Sequence, residues 1–123
     1  MNNNSYNEEL LHLFLNYLEF EKKSSKHTVI SYQNDLSHFI QYLDAKFLTD
    51  IDAKDVRMWI SNLSEEGIAP RSINRKLTAI RSFFCYLQKV SKVERNEARK
   101  VHTLKTKKRL PNFVEEEKMN TLL

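Results

Sequence analysis

The 123-residue sequence predicts an all-α fold of about four or five helices. Two observations carry that expectation. Backbone breakers are scarce, with one Gly and two Pro, while Leu, Lys and Glu are abundant. Apolar residues also recur at helical steps along most of the chain. The clearest case is Pro70 to Leu87, where Ile73, Leu77, Ile80, Phe84 and Leu87 follow steps of four, three, four and three. A chain of this length suits one domain that buries about two-thirds of its unfolded surface without a covalent staple.

Residues 1–6 are polar and are expected to fray. The first helix is predicted from about Asn7 to Lys22, with Leu11, Phe14, Leu15 and Leu18 as its buried stripe. Ser24 or Ser25 is placed to cap a second helix that continues to Leu43. Its apolar face is Val29, Tyr32, Leu36, Phe39, Ile40 and Leu43, and its opposite face carries His27, Ser31, Asn34 and His38. Ala45 to Ile51 reads as a connector. Asp52 then caps a third helix, with Asp55 favourable in its first turn and Val56, Trp59, Ile60 and Leu63 facing inward. Gly67 stands where a left-handed C-terminal cap belongs, and Pro70 suits the first position of the fourth helix. Beyond Lys89 the pattern weakens. Val93 to Val101 is expected to form a short fifth helix, residues 102–111 an extended linker, and residues 112–123 the start of a further helix. Boundaries follow at 1–101, 102–111 and 112–123, with the chain stopping just past a domain boundary.

The net charge of +4 is unevenly spread: residues 1–66 carry a net of −5 and residues 67–123 a net of +9. No acidic residue occurs between Glu66 and Glu94. A basic half of this kind is a natural footprint for phosphates. Cys85 is the only cysteine, which excludes an internal disulfide and fits a reducing compartment. No apolar run approaches a membrane span, and the start lacks the pattern of a secretory signal. A cytoplasmic location is expected.

The four histidines show neither metalloprotease nor zinc spacing, there is no Gly-rich phosphate loop, and Glu65 and Glu66 are adjacent and face different ways. No catalytic, metal or cofactor constellation emerges. The fourth helix is more informative. Arg71, Asn74, Arg75, Thr78 and Ser82 fall on or near the side opposite its apolar stripe, and Lys76 flanks them. Arginine suits phosphates and guanine edges, asparagine suits adenine, and the helix start offers N–H groups to a phosphate. The same composition fits an ordinary solvated basic face. The polar stripe on the second helix, short and nearly uncharged, is compatible with a DNA-facing surface, but on the residues alone the solvent-facing reading is favoured.

These residues have a familiar order. Thr28-x3-Tyr32-x2-Asp35-Leu36-x2-Phe39-x2-Tyr42-Leu43 is similar to the second helix of the N-terminal core-binding domain of tyrosine recombinases. Ser72-x2-Arg75-x-Leu77-x-Ala79-Ile80-Arg81-x-Phe83-Phe84-x2-Leu87 resembles that domain's fourth helix. Lys107, Lys108, Leu110 and Pro111, then Glu115 to Glu117 and Leu122-Leu123, resemble the interdomain linker and the opening helix of the catalytic domain. Two departures stand out: Gln33 where the second helix often has Arg, and Glu97 where a proline often follows the asparagine.

The resemblance implies a SAM-like bundle with orthogonal packing that embraces one side of a recombination half-site, with a catalytic domain on the other side. It implies double-stranded DNA as partner, a monomeric fragment and a tetrameric parent on DNA, with no cofactor. Carried over by position, the DNA-binding candidates are His27, Thr28 and Ser31 on the second helix and Arg71, Ser72, Asn74, Arg75 and Lys76 on the fourth. Lys107 and Lys108 of the linker join them, with Lys105 and Arg109 nearby; Arg81, nearer the flank, is a structural candidate. The family's tyrosine nucleophile and its assisting residues belong to the later domain, and none of Tyr6, Tyr17, Tyr32, Tyr42 or Tyr86 matches it. The fragment is therefore expected to hold DNA and not to cleave it, within a compact Xer-like or simple integrase parent. The rival is a small helical protein-interaction module whose basic face meets an acidic partner.

Overall fold

In a computed structural model, residues 3–44 and 46–103 are described. Helix α1 spans Asn3–Asn16 and runs on as a π-helical turn at Tyr17–Glu21. It is followed by α2 (Lys26–Leu43), a 3-10 turn (Leu48–Asp50), α3 (Ala53–Glu65), α4 (Pro70–Lys89) and a second 3-10 turn (Glu97–Lys100). The described residues contain no strand, and the architecture agrees with a SAM-like helical bundle.

Helix α4 packs against α1, α2, α3 and the last 3-10 turn, so it is the central element. Its expected stripe is buried throughout, and Ala79 and Phe83 widen it. That breadth lets one helix serve several neighbours. Val56, Trp59, Ile60 and Leu63 of α3 are buried as expected, with Trp59 against Phe39 of α2 at 4.9 Å between ring centroids. Phe14 of α1 meets Phe83 of α4 at 5.2 Å and stands edge-on to Tyr32 of α2 at 5.6 Å. The three helices thus share one aromatic cluster.

Three local signals behave as anticipated. Ser25 caps α2, its side chain accepting from the Thr28 N–H. Asp52 caps α3, and Asp55 does more than favour the first turn. Its carboxylate accepts from the Asp52 N–H at 3.0 Å while Asp52 accepts from the Asp55 N–H at 3.1 Å, a reciprocal capping box. Gly67 takes φ +89° and ends α3 in a Schellman motif, with Ile68 N–H donating to the Leu63 carbonyl at 3.0 Å.

The structure corrects the reading at two ends. Residues 3–6 are helical, where fraying was expected. Asn7 explains this: fully buried, it donates from Nδ2 to the Lys46 carbonyl and accepts the Leu48 N–H at Oδ1, both at 2.9 Å. Tyr6 adds an edge-on contact with Phe47 at 5.5 Å. The connector thereby holds the start of α1, and its Leu48 and Ile51 enter the core. The expected fifth helix is only a 3-10 turn at Glu97–Lys100. Arg81 draws the Ala98 carbonyl onto Nε at 3.3 Å and the Val101 carbonyl onto Nη2, and Asn96 donates to the Arg81 carbonyl at 3.0 Å. The segment is therefore fastened to α4, with Ala98 and Val101 buried under it. The expected helix at 112–123 and nearly all of the 102–111 linker lie outside the described residues.

Candidate nucleic-acid interface

Helices α2 and α4 meet around a single acid. Asp35 is the only acidic residue of α2, and its side chain is 4% exposed. An ionised carboxylate at that depth requires partners, and α4 supplies two. Arg75 grips it side-on, Nε to Oδ2 at 3.1 Å and Nη2 to Oδ1 at 3.0 Å, while Lys76 Nζ reaches Oδ1 at 3.0 Å. The two cations are not equivalent: the Arg75 side chain is 56% exposed and the Lys76 side chain 13%. Hydrogen bonding to Asp35, then its charge, holds the Arg75 guanidinium even further above its ordinary range against a smaller cost of burial. A second bridge joins the helices nearer the aromatic cluster, where the Tyr32 hydroxyl donates to Ser82 Oγ at 3.4 Å.

Between these bridges lies a groove of about 290 Å³. His27, Thr28 and Ser31 form its α2 wall, Arg75 and Thr78 its α4 wall, and Tyr32, Asp35 and Ala79 complete the lining. The Ser25 cap sets the α2 wall, because it fixes where the helix starts. Ser25 Oγ also donates to the Thr28 hydroxyl at 2.9 Å, leaving the Thr28 hydroxyl hydrogen to donate elsewhere. At the start of α4, Ala69 is extended and offers no side-chain cap to the first-turn N–H groups, which begin with Arg71.

The structure therefore brings His27, Thr28, Ser31 and Arg75 into one groove, joined by Thr78. Arg71 is exposed on the first turn of α4, with Ser72 and Asn74 half-buried beside it. Lys76 turns inward onto Asp35. Lys107 and Lys108 lie outside the described residues. The polar stripe of α2 divides: His27 and Ser31 face the groove, whereas His38 stands edge-on to Trp59 of α3 at 5.7 Å. Arg81 is structural, as its carbonyl bonds show.

A second, larger groove of about 450 Å³ shares Tyr32 with the first. Lys22, Lys89 and Arg99 stand along it beside Tyr17 and Tyr86, whose rings lie 4.8 Å apart, and Lys89 Nζ sits 5.6 Å from the Tyr17 centroid. Burial, then the charges of Glu21 and Tyr17, push the Tyr86 hydroxyl above its ordinary range. Exposed Cys85 lies in this groove.

Sequence reasoning used Asp35 only as part of a pattern and missed its partners. A signal was present: an acid on the inward arc of a helix otherwise free of acids, facing a helix that has none. Among the described residues no group of three or more His, Cys, Asp or Glu is arranged to hold a metal, and no helix is long and apolar enough to cross a membrane.

The family model for the phage integrase N-terminal SAM-like domain matches residues 11–90, which include α2, α3, α4 and the groove between α2 and α4. The chain belongs to that family. Its SAM-like domain is similar to curated tyrosine recombinases named XerC. The protein from Oceanobacillus iheyensis is 36% identical over 112 residues, covering 89% of this chain and 37% of that protein. The one from Halalkalibacterium halodurans is 35% identical over 120 residues, covering 95% and 40%, and the one from Pediococcus pentosaceus is 36% identical over 118 residues, covering 93% and 39%. The chain thus spans about two-fifths of the length of the curated relatives it matches. No solved structure gives a significant match.

Proposed function

We propose that this SAM-like domain is the DNA-holding part of a site-specific tyrosine recombinase, and that it clamps one side of a recombination half-site with α2 and α4. The observation that carries the reading is the shared groove. It gathers short hydrogen-bonding side chains from α2 and an arginine from α4 on the basic half of the chain. A duplex surface asks for that combination of cationic contact and donor–acceptor variety.

Arg71 and the open first turn of α4 meet phosphate, with Ser72 and Asn74 beside them; His27, Thr28, Ser31 and Arg75 face the bases. Lys76 supports this surface from behind through Asp35. Lys22, Lys89 and Arg99 extend the positive surface along the flanking backbone. Lys107 and Lys108 are proposed to follow the backbone towards a catalytic lobe. In that arrangement the domain positions DNA for a tyrosine nucleophile supplied by the rest of a recombinase, which acts on DNA as an assembly of several copies.

Titrating the chain with duplex DNA while recording backbone amide shifts tests this directly. Shifts should concentrate on α2 and the first half of α4, and Arg71→Ala should lower the slope of log affinity against log salt by about one. Shifts confined to α1 and α3, or none, would instead favour a protein-interaction module with an acidic partner.

A further inference from the structure

We propose that Asp35 is a positioning residue that aims Arg75 at a guanine edge in the major groove. This rests on the DNA-binding reading above and assigns one base contact within it. A guanidinium presents five N–H groups in a plane, and its edges can be used separately. Asp35 occupies the inner edge, Nε together with one Nη2 hydrogen. The outer edge, Nη1 together with the second Nη2 hydrogen, points away from that carboxylate, on a side chain that is 56% exposed. Two parallel donors on that edge match the O6 and N7 acceptors of guanine.

The support for this aim is unusually firm for a surface arginine. Lys76 Nζ adds a third bond to the same carboxylate, whose side chain is 4% exposed, so Asp35 cannot swing away with Arg75. An unsupported arginine explores many rotamers and must be ordered on binding; this one is ordered beforehand. Asp35 also offsets the formal charge of Arg75. What remains is a fixed fork more than a mobile charge, which favours a base edge over a phosphate. The surrounding wall groups, Thr28, Ser31 and Thr78, are short and leave the fork uncovered.

The test begins by enriching a pool of randomised duplexes on the immobilised chain and measuring affinity for the enriched duplex and a scrambled one. Each guanine of the enriched duplex is then replaced in turn by deazaguanine, which has carbon in place of N7. At one position the replacement should weaken binding by the wild-type chain about tenfold. Arg75→Lys keeps the charge and loses the fork, and should bind the original and replaced duplexes alike. Asp35→Asn should show the same loss of discrimination, with affinity for the scrambled duplex kept within about twofold. If Asp35→Asn fails to fold by circular dichroism, Asp35→Glu, which keeps the charge and shifts the carboxylate, takes its place and should lose discrimination likewise. Retained discrimination in a folded Asp35 variant would overturn the positioning role, and retained discrimination in Arg75→Lys, or a pool that binds without enriching any sequence, would overturn the guanine contact while leaving DNA binding intact. Absence of any duplex binding would overturn both readings.

Discussion

Lys76 distinguishes a structural cation from the cations proposed to bind DNA. Position on the helix marks it as a candidate contact, yet its ammonium lies 3.0 Å from Asp35 Oδ1 on a side chain only 13% exposed. At an effective dielectric of about 20, unit charges at that distance attract with roughly 5 kcal/mol before desolvation is counted. Most of this is offset by the cost of taking both ions out of water. In Lys76→Met the apolar stem is replaced nearly in kind, and Asp35 keeps its two bonds from Arg75. The net loss is then that of one charged hydrogen bond in a partly screened setting, about 1–2 kcal/mol. For a domain of this size that lowers Tm by about 5–10 °C. Urea and thermal unfolding followed by circular dichroism measure the first quantity. A salt series of duplex affinities measures the second: the slope should be unchanged, in contrast to the loss expected for Arg71→Ala. A slope lower by about one in Lys76→Met, with stability intact, would show that the ammonium leaves Asp35 for phosphate and refute the assignment.

Three further outcomes follow from local geometry. Asn7→Ala should cost about 2–3 kcal/mol in urea unfolding, because it strands the Leu48 N–H and the Lys46 carbonyl; a loss below about 0.5 kcal/mol would mean that water satisfies them. Ser91 ends α4 at φ +62° in a Schellman motif, with Lys92 N–H donating to the Leu87 carbonyl at 2.8 Å, so Ser91→Gly should raise stability by about 1 kcal/mol; an unchanged midpoint would count against that strain. Burial pushes the Asp55 carboxyl up, but the Asp52 N–H and the Lys46 ammonium outweigh it and hold the group below its ordinary 3.8. A depressed folded value means that its contribution is whole above pH 3.8 and is lost as pH falls through the lower folded value. Asp55→Asn should therefore flatten the acid limb of stability measured by denaturant midpoints, and an identical limb would show that Asp55 is not its source.

Much of the fold was legible because it rests on local chemistry. The stripe of α4, the α3 face, the Ser25 and Asp52 caps and the Gly67 turn each follow from residue type and spacing within one element. The features that escaped depend on residues far apart in sequence. Asn7 orders the start of α1 only because the connector returns to it 39 and 41 residues later. The segment after α4 forms a 3-10 turn because Arg81 takes carbonyls 17 and 20 residues ahead. For the site, helical periodicity located the faces bearing His27, Ser31, Arg71 and Arg75. It did not locate the ion pair that joins two of the elements, since Asp35 and Arg75 are 40 residues apart. The π-helical turn at Tyr17–Glu21 likewise has no signature in the spacing of Leu11, Phe14, Leu15 and Leu18.

The central place of α4 explains why its outer face is held in a fixed orientation, as the proposed DNA-binding surface requires. A helix on the rim of a bundle can rotate at the expense of a few contacts. Helix α4 is held by α1, α2, α3 and the final turn at once, and rotation would expose part of a stripe that runs from Ile73 to Leu87. The core therefore fixes which residues remain outside, and Arg71, Arg75 and Thr78 are among them. Asp35 then converts that rotational constraint into a side-chain constraint, because it ties the exposed guanidinium to a buried point on a second helix. On the proposed reading, stability and recognition meet in one carboxylate. Substitutions there should move both quantities, whereas Arg71, outside that network, should move binding alone.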